Sequence, residues 1–141
     1  MKLSKNFTLD ELIHTNCGLI NVPNQEQTAN LKQLVINVLQ PLRDKAGFSI
    51  HINSGFRSFE VNKHANKGKV LPSQHCKGEA ADLDSEDNAA LFRIIGEFIE
   101  FDQLIWEKGN DIQPAWVHVS YKTHGNRGEM LKFDGKKYIR I

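Results

Sequence analysis

Ser73-Gln74-His75-Cys76-Lys77-Gly78-Glu79-Ala80-Ala81-Asp82-Leu83-Asp84 sets a histidine and a carboxylate seven positions apart across a glycine. The first half has loop character. The second, from Glu79 to Leu83, reads as a short strand on which Ala80, Asp82 and Asp84 share one face while Ala81 and Leu83 take the other. An imidazole nitrogen of His75 and a carboxylate oxygen of Asp82 can then converge on one borderline-soft cation, and zinc accepts both donor types. Asp84, on the same face, is the alternative ligand or an orienting partner for one.

A third ligand is offered by Trp116-Val117-His118-Val119-Ser120. Strand alternation there puts Trp116, His118 and Ser120 on one face and Val117 and Val119 on the other. Two histidines and one aspartate leave a fourth position on zinc for water, the arrangement of a catalytic rather than a structural site. The remaining histidines, His14, His51, His64 and His124, read as surface or packing residues. Cys17 reads as a small buried hydrophobe, and Cys76, beside a proposed ligand, is an alternative thiolate donor.

The chain has 141 residues, 40% hydrophobic and 25% charged, which suits one domain spanning 1–141. A formal net charge of +1 with both signs interspersed gives no footprint for nucleic acid. No window approaches a membrane span, and Met1 to Phe7 lacks the apolar core of an export signal. The expectation is a monomer made in the cytoplasm without its own signal. Two cysteines fit neither a zinc ribbon nor a redox pair.

Thr8-Leu9-Asp10-Glu11 has the form of a capping box, so a short helix through about His14 is expected. Leu31, Leu34, Val35, Val38, Leu39 and Leu42 recur at helical spacing, predicting one long amphipathic helix from Gln25 to Ala46. Pro41 should bend that helix or split off its last turn, and Gly47 should end it. Ser49 to Asn53 alternates as a strand and delivers Arg57 just past its end, and a helix is expected over Phe59 to Ala65. The segment Asn66 to Pro72 reads as a mobile loop. Ser85 is expected to cap a helix whose Ala89, Leu91, Phe92, Ile94, Ile95, Phe98 and Ile99 supply core. Asp102 to Glu107 reads as a strand carrying Gln103 and Glu107 on one face, and Lys132 to Ile141, turning at Asp134-Gly135, as a closing hairpin. The pattern predicts an α+β domain with a small, mainly antiparallel sheet packed with helices.

Ser54-Gly55-Phe56-Arg57-Ser58, the Ser73–Asp82 stretch and Trp116-Val117-His118-Val119-Ser120 together resemble the zinc D-Ala-D-Ala carboxypeptidase family. That family shares its fold with the vancomycin-resistance dipeptidases, phage L-alanyl-D-glutamate endolysins and the Hedgehog signalling domain. Leu3 to Thr8 and Leu39-Gln40-Pro41-Leu42-Arg43 are similar to its short bacterial and phage branch. The resemblance implies a Hedgehog/DD-peptidase-like fold, His75, Asp82 and His118 as zinc ligands, Arg57 on the substrate, and the stem peptide of peptidoglycan as that substrate. In the dipeptidases a catalytic glutamate lies three residues before the last histidine, where this chain has Ala115. Glu107 corresponds instead to the glutamate of the Hedgehog-like arrangement, and Asp111 is the other nearby carboxylate.

The leading expectation is therefore a zinc peptidase, carboxypeptidase or endopeptidase, acting at the bacterial cell wall, reached by a route such as phage lysis or tail delivery. Glu107 would be the base and Arg57 the anchor for a carboxylate or oxyanion, while Ser73, Gln103 and Trp116 would contact the peptide. The alternatives are a zinc-stabilised module that binds wall peptide or a protein without turnover, and a structural phage component with a vestigial site.

Overall fold

A computed structural model describes residues 1–69 and 72–141. The chain opens with helix α1, Leu9–Ile13, where the Thr8 side chain accepts from the Glu11 N–H and the Glu11 side chain accepts in return from the Thr8 N–H. This reciprocal cap satisfies two donors that a five-residue helix cannot satisfy internally. Asn24 and Gln27 repeat the device at the start of α2, Gln25–Leu34.

The long helix is present in three consecutive pieces, the last of them, Gln40–Ala46, set off beside Pro41 as the sequence implied. A π-helical turn, Val35–Leu39, joins α2 to α3, Gln40–Ala46, and the Gln40 N–H reaches back to the Val35 carbonyl. Proline at 41 has no N–H to give and its ring crowds the preceding turn. The helix accommodates this by widening just upstream, which keeps Leu31, Leu34, Val35, Val38, Leu39 and Leu42 all buried on one side. Gly47 ends it in a left-handed conformation.

Strand β1, His51–Ser54, begins and ends slightly later than its alternation suggested, and α4 covers Phe59–Ala65 behind the Ser58 cap. The expected mobile loop after it contains positions 70 and 71, which lie outside the described residues. A 3₁₀ turn, Gln74–Lys77, leads into β2, Ala80–Asp84. The cap of α5, Asn88–Phe98, is Asp87 and not Ser85. The Asp87 carboxylate accepts from the Ala90 N–H, while the Ser85 hydroxyl accepts from the Asp87 N–H and donates to Asn88, shaping the turn before the cap. Leu91, Phe92 and Ile95 of α5 enter the core as expected, with Ile94 and Ile99 packed against it. Phe98 does not: it is exposed in the last turn, with the Lys45 ammonium 4.9 Å above its ring.

Strands β3 (Gln103–Glu107), β4 (Trp116–Ser120), β5 (Glu129–Phe133) and β6 (Tyr138–Arg140) complete a six-stranded sheet of order β1-β2-β4-β3-β5-β6. Every neighbouring pair is antiparallel except β3 with β5. Strand alternation gives the sheet two characters. Ala81, Leu83, Leu104, Val117 and Val119 face the helices and join the hydrophobic core, while Asp82, His118, Ile105 and Glu107 face away from it. Among the described residues no helix is long and apolar enough to cross a membrane.

Asp102, just before β3, ties this sheet to the turn that carries His75. It is fully buried, accepts from Arg127 N–H, Nε and Nη2 at 3.1, 3.0 and 2.8 Å, and accepts from Gln74 Nε2 at 2.8 Å. The Arg127 hydrogen bonds outweigh burial and hold the Asp102 carboxyl well below the ordinary carboxylate range. A group depressed in the folded state stabilises the fold above its unfolded value and loses that contribution as pH falls through the folded one. Asp102→Asn should therefore cost about 1–3 kcal/mol at pH 7. The gap to wild type should narrow as pH drops below about 4. Thermal melts of both proteins from pH 7 to pH 2 measure this, and a gap constant over that range would remove Asp102 as a source of acid sensitivity.

Candidate metal centre

The face of the sheet opposite the core floors a cavity of about 530 Å³. Strand register places its groups in rows. One row runs Ser54, Asp82, His118, Ile105 across β1, β2, β4 and β3. The next runs Trp116, Glu107, Phe133, Tyr138 across β4, β3, β5 and β6. His75 comes from outside the sheet, on the 3₁₀ turn, and meets the first row.

That turn is held from several sides. Gln27 Nε2 and Asn30 Nδ2 on α2 donate to the carbonyls of Cys76 and Lys77. Gly78 closes the turn at φ +77°, and a Cβ there would lie 2.4 Å from the Gln27 carbonyl oxygen, so both the conformation and the space exclude a side chain. The Arg57 N–H donates to the His75 carbonyl at 3.1 Å. Ser73 accepts from the His75 N–H through its hydroxyl, so it shapes the turn while also lining the cavity.

The tautomer of His75 follows from its surroundings. Its Nδ1 is 2.7 Å from the Gly55 carbonyl oxygen, which can only accept, so Nδ1 carries the proton. Burial pushes the imidazole down from its ordinary pKa, against the pull of Asp82, so the ring is neutral and Nε2 is a bare lone pair. That lone pair faces Asp82 Oδ2 at 3.4 Å. Burial alone would raise the Asp82 carboxyl, but with His118 Nδ1 at 3.1 Å and Arg57 Nη2 at 3.2 Å the carboxyl lies well below its ordinary range and is ionised. Two acceptors therefore face one another inside the protein, an arrangement that repels unless a cation stands between them.

His118 Nδ1 lies 3.1 Å from Asp82 Oδ1, and the donor atoms of His75, Asp82 and His118 all fall within 4.8 Å of one another. Zinc bonds of about 2.1 Å in a tetrahedron put neighbouring ligand atoms about 3.4 Å apart. The two contacts through Asp82, 3.4 and 3.1 Å, are near that spacing. The residues present thus fit a divalent metal with N₂O donors. Gly55 supplies the outer hydrogen bond that orients His75, a partner metal-bound histidines require.

The other sequence candidates fall into two groups. Arg57, Gln103, Glu107 and Trp116 all line the cavity. Arg57 donates to Asp82 Oδ2 and to Ser54 Oγ at 2.9 Å, so it positions the aspartate as well as facing the cleft. Gln103 donates to Glu129 at 2.6 Å. Glu107 is buried, and that burial, with Asp82 adding to it, pushes its carboxyl up to about 6 against the opposing effects of His118, Lys108 and Trp116. Outside the cluster stand Asp84, which accepts from Asn88 Nδ2, and Asp111, which is exposed and paired with Lys132. Cys76 is half-buried and not among the clustered donors, and Cys17 is half-buried rather than buried, its thiol accepting from Thr15 Oγ1.

Sequence reasoning missed three contributors. Asn21 donates to the Ile13 and Phe56 carbonyls and accepts from the Ser58 N–H at 2.6 Å, bracketing the segment that presents Arg57. Nothing in its neighbours Ile20 and Val22 signals this. Gln74 connects the His75 turn to Asp102. Tyr138, from the last strand, lines the cavity although the hairpin read only as a closure of the sheet.

A family model described as Peptidase M15 matches residues 5–120. No curated protein matches the chain. The match agrees with the DD-peptidase/Hedgehog-like fold expected from the sequence and with the six-stranded, mostly antiparallel sheet.

The cluster supports one metal per chain. Metal analysis of purified protein should find close to one divalent ion per chain, and His75→Ala or His118→Ala should reduce it to background while the fold persists. Full retention in both variants would mean the ion is held elsewhere.

Proposed function

From the chain's membership of the M15 peptidase family, we propose that it is a zinc-dependent peptidase hydrolysing a stem-peptide bond of peptidoglycan, with the bacterial cell wall as its site of action. The observation that carries this reading is the pair of opposed acceptors, His75 Nε2 and Asp82 Oδ2, set beside a buried carboxylate in one cavity. A zinc ion held by His75, Asp82 and His118 would supply Lewis acidity toward a scissile carbonyl and an acidified water.

The protein's own groups divide the remaining work. Glu107, with its carboxyl near 6, is largely ionised at neutral pH yet basic enough to accept a proton from the attacking water and return it to the leaving amine. Its position one row from His118 brings it to the same cleft from a strand, and Asp111, paired with Lys132 outside that cleft, is the weaker choice. Arg57 is the cation closest to Asp82 and is placed to hold a peptide carboxylate or the developing oxyanion. Trp116 and Gln103 line the space a peptide would occupy, Trp116 with its ring 5.4 Å from the Lys108 ammonium.

A synthetic stem pentapeptide and purified peptidoglycan, digested with and without chelator and read by mass spectrometry, test the activity and locate the bond. Cleavage should require metal. Glu107→Gln should lower the rate about 10²–10⁴-fold with zinc still bound. Loss in Asp111→Asn with wild-type rates in Glu107→Gln would move the base to Asp111. Metal-bound protein that binds the peptide without cutting it would replace the peptidase by a binding module.

A further inference from the structure

The C-terminal hairpin lies beyond residues 5–120, the part of the chain the family model covers, so the peptidase reading assigns it no role. It nevertheless builds part of the cleft. Phe133 on β5 is in register with Glu107 on β3, and Tyr138 on β6 is in register with Phe133. Residues in register across neighbouring strands project to the same face. The sheet therefore extends the Glu107 row by two aromatic side chains, and the outer one, Tyr138, lines the cavity that holds His75, Asp82 and His118.

We propose that Tyr138 is a substrate-binding residue, its hydroxyl donating a hydrogen bond to a peptide carbonyl of a stem peptide lying across the cleft and its ring forming the wall beyond Glu107. This rests on the peptidase reading of the same cavity. The Phe133 and Tyr138 rings stack with centroids 4.4 Å apart at 28°, which fixes the plane of a side chain that is otherwise exposed. Among the described residues the hydroxyl has no hydrogen-bond partner, so its donor is free for a ligand. Burial, with the charges of Glu107 and Asp82, pushes the phenol above its ordinary value, which keeps the proton on the oxygen. A neutral acceptor, the amide carbonyl, suits the position, and small apolar side chains such as alanine methyls suit the ring. Arg127, another cation on the rim, is already committed to Asp102.

The test uses the stem pentapeptide with Tyr138→Phe, which removes only the hydroxyl, and Tyr138→Leu, which also removes the ring. Peptide affinity is measured by calorimetry in a Glu107→Gln background, and kcat/KM in the otherwise native protein. Tyr138→Phe should weaken binding and lower kcat/KM by about three- to tenfold, the loss of one neutral hydrogen bond. Tyr138→Leu should lose more. Zinc content, Tm and the acid limb of the pH profile should match the parent protein in both. Wild-type affinity and kcat/KM in Tyr138→Phe would overturn the proposal, as would losses matched by falls in zinc content or Tm. A parent protein that binds the peptide but cuts nothing would overturn the peptidase reading alone, because the calorimetric comparison still decides Tyr138.

Discussion

The hydrogen bond from His75 Nδ1 to the Gly55 carbonyl, 2.7 Å long, decides what the rest of the cavity can do. It consumes the single proton of a neutral, buried imidazole and turns the other nitrogen, bare, toward Asp82. The carbonyl can be presented there because the chain at Gly55 passes so close to α1 that a Cβ would sit 2.3 Å from the Leu12 carbonyl oxygen, the same oxygen that accepts from the Phe56 N–H at 2.7 Å. A short capped helix near the N-terminus thereby sets the tautomer of a histidine more than sixty residues later. A side chain at 55 would have to move either Leu12 or the carbonyl, and either displacement loosens His75, the first donor of the candidate metal site.

The sheet separates stability from chemistry by alternation alone. Val117 and Val119 bind β4 to the helices, while Trp116 and His118, alternating with them, open on the cleft. β2 does the same with Ala81 and Leu83 against Asp82. Burying Asp82 and Glu107 is unfavourable in itself, and the two are compensated differently. Asp82 collects Arg57 and the Nδ1 of His118, so its charge is kept. Glu107 has weaker compensation, and its raised carboxyl records that deficit. A carboxylate left short of partners is one whose proton affinity suits transfer.

Local chemistry made much of this legible beforehand. The Thr8–Glu11 box, the Phe59–Ala65 helix and the β4 alternation each depend on residues within a few positions, and each formed as the sequence implied. For the His75, Asp82 and His118 cluster, strand alternation and the glycine turn offered the candidates, with Asp84 and Cys76 beside them, and the family resemblance singled out the three that come together. Less was visible where partners are distant. Asn21 acts through Ile13, Phe56 and Ser58, and Asp102 through Gln74 and Arg127. The parallel β3–β5 pair has no marker in either strand, so the position of the hairpin beside Glu107 could not be read from the chain. Ser85 and Asp87 were confused for a different reason: both are good caps, and only the turn geometry shows which one meets the first free N–H of the helix.

The placement of the proposed base on β3 has a geometric explanation. Ala115 is exposed and precedes β4, and its N–H donates to the Glu107 carbonyl at 2.9 Å. By strand parity position 115 belongs with Val117 and Val119, whose side chains enter the core, and not with His118. A carboxylate there would have to leave the strand's own geometry to reach the cleft. Ile105 is the residue opposite His118, so Glu107, two positions further along β3, is the diagonal neighbour of that histidine on the correct face. Diagonal neighbours on a sheet are about 7–8 Å apart at Cα, a gap a glutamate side chain spans with room for water. The same register carries Phe133 and Tyr138 into line beyond Glu107. With the proposed base on β3, the hairpin that looked like an edge closure of the sheet reaches the same cleft through Tyr138 on β6.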